Sequence, residues 1–268
     1  MSVALQSKKV QRVIGMTNRH TLILEILSKK ERIEVAKLAG LVGVSQVTVR
    51  KDLDQLEAQG LIQREHGYAL IGSMDDIGNR LAYHYDIKRT IAAMAASTIQ
   101  HGETVMIENG SCCALLAEEV AKSKRDVTII TNSAFIANHI RKIPGAKIVL
   151  LGGDYQTESQ VMVGPITRKC AEEYFVDKLF IGTDGFTEKT GFTGTNRMRA
   201  EAVRDMAKQA ANVIILTEAE KFSQQGVVAL LGTDQVSRVY TDNRIPEESE
   251  RFLDSQGVQV FKIKTDVP

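Results

Sequence analysis

The stretch VSQVTVRKDLDQLEAQG, residues 44–60, decides how this chain reads. Ser45 is a good helix N-cap, because its side-chain oxygen can accept from the free N–H groups of a first turn, and Gly60 supplies a stop. Between them Val49, Leu53 and Leu56 recur at helical spacing, with Val44 just ahead, and form an apolar face that packs inward. Val47, Arg50, Lys51 and Asp54 point roughly the other way. The segment is a short helix with an apolar back and a polar, partly cationic front.

Its neighbours give that helix a setting. Upstream, TNRHTLILEILSKK (17–30) places Leu22, Ile23, Ile26 and Leu27 on one helical face, and IEVAKLAGLVG (33–43) gives a second short helix ending at Gly43. Downstream, LIQREHGYALIG (61–72) reads as two short extended runs around His66-Gly67, a small hairpin or wing. Three short helices followed by a wing make a winged helix-turn-helix over 17–72, whose third helix would lie in a DNA major groove with its N-terminal residues toward the bases.

The character changes near GSMDDIGNRLAYHYD (72–86), and 73–87 reads as a linker. From 88 to 268 short apolar runs alternate with amphipathic segments. Strands are expected at 104–108, 127–131, 147–151, 177–182, 213–217, 236–241 and 258–263, and helices at 112–122, 133–142, 166–175, 197–210 and 247–256. This is the rhythm of an α/β domain with a mostly parallel sheet and helices on both faces. No internal repeat or low-complexity tract interrupts it.

Length and composition suit two domains or one large one, of ordinary globular character: 268 residues, 43% hydrophobic and 25% charged. The net charge of +1 conceals an asymmetry. Residues 1–73 hold 11 Lys and Arg against 7 Asp and Glu, a net +4, which leaves −3 for the rest. A basic head on a slightly acidic body suits an anionic partner, although +4 is also common on solvated helix faces. Three cysteines, Cys112, Cys113 and Cys170, without a CxxC spacing argue against a disulfide framework or a zinc ribbon. No signal-peptide run or membrane-length apolar stretch is present, so a cytoplasmic protein without a membrane partner is expected. Residues 1–15 read as a disordered leader, with a basic arm (Lys8, Lys9, Arg12) as the alternative.

In a parallel sheet of this kind ligands bind beyond the carboxyl ends of the strands. Three loops there carry suitable groups. IENGSCC ends a strand and starts a helix at Asn109, Gly110, Ser111 and Cys112, where free backbone N–H groups favour an anion. IITNSAF offers Thr131, Asn132 and Ser133 one strand later, and FIGTDGF brings Asp184 and Gly185. Lys221 follows a further strand and adds a cation. Together they suit a phosphosugar, with hydroxyls and N–H groups for the phosphate and Asn132 and Asp184 for sugar hydroxyls. Each loop also reads as a plain strand-to-helix turn, and Asp184 and Lys221 as surface charges or caps. The adjacent pair Cys112-Cys113 sits in a helix first turn, where the dipole can lower a thiol pKa. A nucleophilic cysteine needs a histidine in reach, and His84, His101 and His139 lie on no obvious partner loop. Two adjacent helical residues project about 100° apart and cannot easily chelate one metal. The expectation is therefore no metal, no cofactor and no catalytic residue, with Cys112 lining the pocket and Cys113 filling core.

These residues resemble the DeoR-type family of bacterial repressors of sugar and sugar-phosphate metabolism, from about Asn18 to about Ile263. The family's DNA-binding signature, V-S-x-x-T-[IV]-R-[RK]-D-L-x-x-L-E-x-x-G, is matched at every fixed position within 44–60. The wing pattern R-x-H-G-G-A appears at 64–69 with Tyr68 in place of the second glycine. In the body, TNS (131–133), LGG (151–153), VGP (163–165), DKLFIGTDGF (177–186) and Glu201 fall where the family has them. Two segments depart from it. The loop usually written D-S-G-T-T-T is Glu108-Asn109-Gly110-Ser111-Cys112-Cys113, and D-S-S-K-F is Glu218-Ala219-Glu220-Lys221-Phe222.

The resemblance implies a sensor domain related in fold to ribose-5-phosphate isomerase, double-stranded operator DNA and a phosphorylated sugar as partners, and a homodimer or homotetramer. Arg50 is expected at a base edge, Ser45, Gln46 and Thr48 at phosphates or bases, and Lys51, Arg64 and His66 on the backbone. Asn109, Gly110, Ser111, Cys112, Thr131, Asn132, Ser133, Asp184, Gly185, Glu201 and Lys221 form the expected effector set. Arg197 and Arg199 are read as a solvated basic face. The rival reading is a sugar-phosphate isomerase using Asp184 and Glu201 as acid and base, in which the winged helix would be idle. An activator is a further alternative that only operator placement separates from a repressor.

Overall fold

The computed structural model describes residues 18–30, 32–58, 62–70 and 75–264, so the expected leader at 1–15 lies outside the described residues. The chain divides into two compact units between Asp86 and Ile87.

The first unit opens with α1 (Asn18–Lys30), β1 (Arg32–Glu34), α2 (Val35–Val42) and α3 (Gln46–Ala58). It continues with β2 (Gln63–Glu65) and β3 (Tyr68–Leu70), which form a three-stranded sheet with β1 in the order β1-β3-β2. Gly43, left-handed at φ 74, closes α2, and the turn from it into α3 is the helix-turn-helix. His66 and Gly67, at φ 40 and 86, make the tight turn between β2 and β3, a conformation in which glycine carries no side-chain strain. In α1 the inward face is His20, Ile23, Leu24 and Leu27, whereas Leu22 is 39% exposed. The sequence expectation had put Leu22 on the buried face; the spacing i, i+3, i+4, i+7 starting at His20 fits the helix better.

Part of the stretch expected as a linker is helical. Asp76 caps α4 (Ile77–Ala82) by accepting from the N–H groups of Gly78 and Asn79 at 2.8 and 3.2 Å. Ile77, Leu81 and Ala82 are buried, and α4 packs against α1. The helix was missed because Gly78 and two flanking polar clusters look like loop chemistry. α5 (Tyr85–Ala96) then runs across the boundary into the second unit.

The second unit is built on seven parallel strands in the order β15-β14-β12-β9-β4-β5-β6. These are β4 (Thr104–Ile107), β5 (Val127–Thr131), β6 (Ala146–Leu150), β9 (Val176–Ile181), β12 (Ala210–Leu216), β14 (Arg238–Asp242) and β15 (Gln259–Ile263), the seven the sequence pattern marks. The helices α6 (Ser111–Ser123), α7 (Ala134–Ile140), α8 (Pro165–Glu172), α9 (Arg197–Ala207) and α10 (Glu247–Ser255) follow the expected segments, with ends shifted by a few residues. Five short strands were not anticipated. They are the hairpin β7 (Asp154–Gln156) and β8 (Val161–Val163), and the antiparallel sheet of β10 (Gly185–Thr187), β11 (Gly191–Gly194) and β13 (Val228–Leu231). Runs of three or four residues carry too little periodicity to be read from sequence. The core holds Met106, Ile130, Leu179, Ile181, Ile215 and Val239 from the strands and Val203, Met206 and Leu253 from the helices. Among the described residues no helix is long and apolar enough to cross a membrane.

Candidate functional site

In the first unit, α3 is held from behind by Val49, Leu53 and Leu56, each fully buried. A fourth buried residue on that face, Asp52, is acidic. Its carboxylate accepts from Nε and Nη2 of Arg19 at 2.5 and 2.8 Å and lies 3.2 Å from Nε2 of the fully buried His20. Burial alone would push the Asp52 carboxyl up, but Arg19 and His20 hold it below the ordinary aspartate value. Burial pushes His20 down, outweighing its attraction to Asp52.

The front of α3 is open. Ser45, Gln46, Arg50 and Lys51 are exposed, and the Ser45 hydroxyl caps the helix, accepting from the N–H of Thr48 at 3.2 Å. Thr48 is half-buried and its hydroxyl lies 2.9 Å from that of Ser45, so these two side chains shape the helix start together. Val47, 62% exposed, sits on the same face. Arg64 is not free: β2 lies beside α3, and its guanidinium pairs with Asp54. His66 is exposed at the wing turn.

In the second unit the chain enters the sheet at β4, then adds β5 and β6 on one side and β9, β12, β14 and β15 on the other. The carboxyl ends of β4 and β9 therefore flank the topological switch point, the place where open α/β sheets bind ligands as a rule. Gly110 and Gly182 face each other there. A Cβ at Gly110 would stand 3.7 Å from the Gly182 Cα and 3.3 Å from Cys113 Sγ. Gly110 is also the N-cap of α6, a 13-residue helix, and makes no side-chain cap hydrogen bond; a helix start of this kind favours an anion.

On the β5 side, the Ser133 hydroxyl donates to Asn109 Oδ1 at 2.6 Å and accepts from the N–H of Ile136 at 3.1 Å. Asn132 Oδ1 accepts from the Asn109 N–H at 3.2 Å, while its Nδ2 donates to the Met162 carbonyl of β8 at 3.3 Å. Thr131 Oγ1 accepts from the Ser133 N–H at 3.1 Å. Thr131, Asn132 and Ser133 thus bond to one another, to Asn109, to Ile136 and to Met162, and these bonds position the loop. Their effect is to fix the Asn109 amide with its oxygen engaged, leaving Nδ2 buried and without an acceptor.

On the β12 side, Cys112 donates its thiol to Glu218 Oε2 at 3.7 Å, and Glu218 Oε1 lies 3.0 Å from Nζ of Lys88 in α5. All three are buried. Burial, then the Glu218 charge, push the Cys112 thiol well above its ordinary value, so it is a protonated donor and not a thiolate. Cys113 donates to the Phe180 carbonyl at 3.7 Å. Lys88 and Glu218 were not anticipated; at the start of an amphipathic helix a lysine reads as solvated, and only the fold reveals its burial.

Four further residues of the expected effector set make contacts of their own. Asp184 Oδ2 accepts from the Thr195 N–H and hydroxyl, both at 2.9 Å. Gly185 is required by packing, since a Cβ there would meet the Gln224 carbonyl oxygen at 2.4 Å. Lys221 turns to Gln224 Oε1, 3.0 Å away, and to Glu220. Glu201 pairs with Arg197 at 2.8 Å and lines an open groove of about 530 Å³ with Arg168, Arg204, Asp205 and Lys208. Ser111, half-buried, stays at the helix start.

Residues 83–243 match the DeoR C terminal sensor domain and residues 19–73 the DeoR-like helix-turn-helix domain. The chain belongs to the DeoR family. This DeoR-family chain is a DNA-binding transcriptional regulator, with α3 and the wing in the domain that gives the class its name. It is 29% identical over 259 residues to a protein of Escherichia coli O157:H7 assigned to repression of the aga operon, covering 94% of this chain and 96% of that one. It is 28% identical to the regulator GlpR of Haloferax volcanii (90% and 96% covered) and 29% identical to the repressor GlcR of Bacillus subtilis (92% and 96%). Among solved structures it aligns with ribose 5-phosphate isomerase A of Methanocaldococcus jannaschii at a TM-score of 0.38 and 17% identity, covering 52% of this chain and 55% of the isomerase.

Proposed function

We propose that this regulator represses a sugar-catabolism operon and that a phosphorylated sugar, bound at the crevice between β4 and β9, lowers its affinity for the operator. The observation that carries the effector half is Asn109 Nδ2, a buried amide donor with no acceptor, fixed beside an uncapped helix N-terminus. A phosphate at the first turn of α6, with Gly110 and Ser111, and a sugar hydroxyl at Asn109 use both features. The relatives named as repressors support the sign of regulation.

On DNA, Arg50 reads a base edge, where a bidentate pair with guanine is worth roughly 1–3 kcal/mol of discrimination. Val47 meets a thymine methyl, Gln46 and Ser45 approach the strand at the helix start, and Lys51 and His66 hold phosphates. Two half-sites read in this way need at least a homodimer. A hundredfold change in operator affinity requires about 2.7 kcal/mol of coupling between effector and DNA. The isomerase reading lacks support: the carboxylate of Asp184 is engaged by Thr195 and that of Glu201 by Arg197.

The test is fluorescence anisotropy of the full chain on DNA from upstream of its own and neighbouring genes, at fixed salt, titrated with a panel of sugar phosphates. Tight binding weakened by one compound is the expected result. Absence of any specific DNA binding, or turnover of a sugar phosphate, overturns the reading.

A further inference from the structure

β6 ends the main sheet beside β5, and among the described residues no strand lies beyond it. Strands of a parallel sheet are ordinarily buried on both faces, and β5 follows that rule with four of its five residues buried. β6 does not. Ala146, Ile148 and Val149 are half-buried, while Lys147 and Leu150 are exposed, Leu150 by 42%. Proteins commonly blunt an open edge with a charge or a proline. The opposite edge, β15, carries Lys262, which pairs with Glu250. β6 instead offers Ile148, Val149 and Leu150 as an unbroken apolar run.

The open backbone groups of this edge can be named. The Leu151 N–H donates to the Thr131 carbonyl at 2.8 Å, and successive residues of a strand point their N–H and C=O to opposite sides. The groups of Ala146, Ile148 and Leu150 therefore turn away from β5. Charge is also sorted along the edge. Arg141 and Lys142 precede β6, Asp154 and Glu158 follow it, and all four are exposed. A parallel neighbour of the same sequence would set like charges side by side. An antiparallel one sets the cationic end of each strand against the acidic end of the other.

We propose that β6 pairs with β6 of a second copy of this chain, antiparallel across a two-fold axis at Ile148, so that one sheet runs through both copies. Ile148 then lies opposite its own copy and Ala146 opposite Leu150 of the partner subunit. That register uses every outward N–H and C=O of the strand. An interface of this kind is isologous and closes at two copies. The proposal rests on the homodimer reading above for the existence of a second copy, and adds where the two chains join.

The test uses full-length protein without DNA. In a Cys170→Ser background, which removes the half-buried native thiol, Ile148→Cys sets two thiols on paired strands. Their Cα atoms stand roughly 5.5 Å apart, within the range of about 4.4–6.8 Å that a disulfide spans. Mild oxidation is expected to link the chains in pairs on a non-reducing gel. Lys147→Cys and Val149→Cys lie opposite each other's positions and not their own, so each links about tenfold less. Leu150→Lys gives the edge the charge it lacks, and the dissociation constant read by sedimentation rises by about tenfold or more, with the circular dichroism unchanged.

Linkage specific to Ile148→Cys, with a weakened assembly in Leu150→Lys, bears the proposal out. If Leu150→Lys does not fold, the three cysteine variants decide alone. Equal linkage at all three positions, no linkage, or an unweakened Leu150→Lys assembly, in a wild type that sediments as a dimer or larger, overturns the β6 seam and leaves the homodimer reading standing. A wild type that sediments as a monomer at every concentration overturns both.

Discussion

Asp52, on the buried side of α3, receives the guanidinium of Arg19 through two nitrogens at 2.5 and 2.8 Å. The contact ties α3 to α1 by a directional bond, where apolar packing of Val49, Leu53 and Leu56 alone would let the helix rotate or slide. Asp52→Ala is expected to destabilise the first unit by on the order of 2 kcal/mol, the scale of a hydrogen bond to a charged group, because Arg19 is partly exposed and can turn to water. Heating full-length protein on labelled DNA checks this: the temperature at which DNA binding is lost falls by several degrees. An unchanged midpoint removes Asp52 from the scaffold.

The same cluster makes stability depend on pH, with a definite sign. Burial holds the His20 pKa below its ordinary value. As pH falls through about 6.5 the unfolded chain takes up this proton and the folded chain does not, so stability present above that pH is lost progressively below it. Asp52, Glu118, Glu218 and Asp242 are also depressed, in each case because neighbouring cations and hydrogen bonds together outweigh burial, and their contributions are lost only below the ordinary carboxylate range, near pH 4. Melting curves by circular dichroism between pH 8 and 5 are expected to decline in the wild type and to flatten in His20→Gln. Parallel curves for the two proteins assign the decline to other groups.

Arg50 and Lys51 are adjacent on the open face of α3, and the proposed reading gives them different contacts on DNA. Arg50→Ala relaxes sequence preference at one base position by roughly 1–3 kcal/mol. Lys51→Ala weakens all sequences alike and flattens the slope of log K against log salt by about one unit, as one phosphate contact is lost. Anisotropy on the operator and on a scrambled site, at several salt concentrations, separates the two. If Arg50→Ala leaves operator preference unchanged, the base contact lies elsewhere on the helix.

What the sequence disclosed and what it withheld follow from the range of the interactions. The helix-turn-helix was legible because Ser45, Gly43 and the Val49–Leu53–Leu56 face act within a few residues, and the seven strands of the main sheet because apolar runs bounded by turns need no partner to be recognised. Loops at the carboxyl edge could be named for the same reason. Which of their side chains remain open could not, since that depends on bonds across 23 or more positions: Asn109 to Asn132, Ser133 to Asn109, Cys112 to Glu218. Lys88 and Glu218 are 130 residues apart, and nothing local marks either as buried. Asp184 was named from its place in the chain, and the partner that engages it, Thr195, belongs to a connection whose path only the fold reveals, whereas Glu201 pairs with Arg197 one turn away in α9.

The crevice itself offers the most direct test of the effector site. Gly110 has φ −151, extended backbone that any residue adopts, so alanine there introduces no backbone strain. Its methyl would stand 3.3 Å from Cys113 Sγ and 3.7 Å from the Gly182 Cα, tight enough to narrow the cleft and loose enough for the sulfur to give. Gly110→Ala is therefore expected to fold and to bind operator as the wild type does, while its response to the effector falls by tenfold or more, the equivalent of about 1.4 kcal/mol. Asn109→Asp tests the adjacent group by a different route: it keeps an acceptor for Ser133 and replaces the unpaired donor with a negative charge, which repels an anionic ligand. The two variants are compared by titrating effector into preformed protein–DNA complexes. Loss of effector response in both with operator affinity intact assigns the crevice to the ligand. A wild-type response in both places the ligand elsewhere on the second unit.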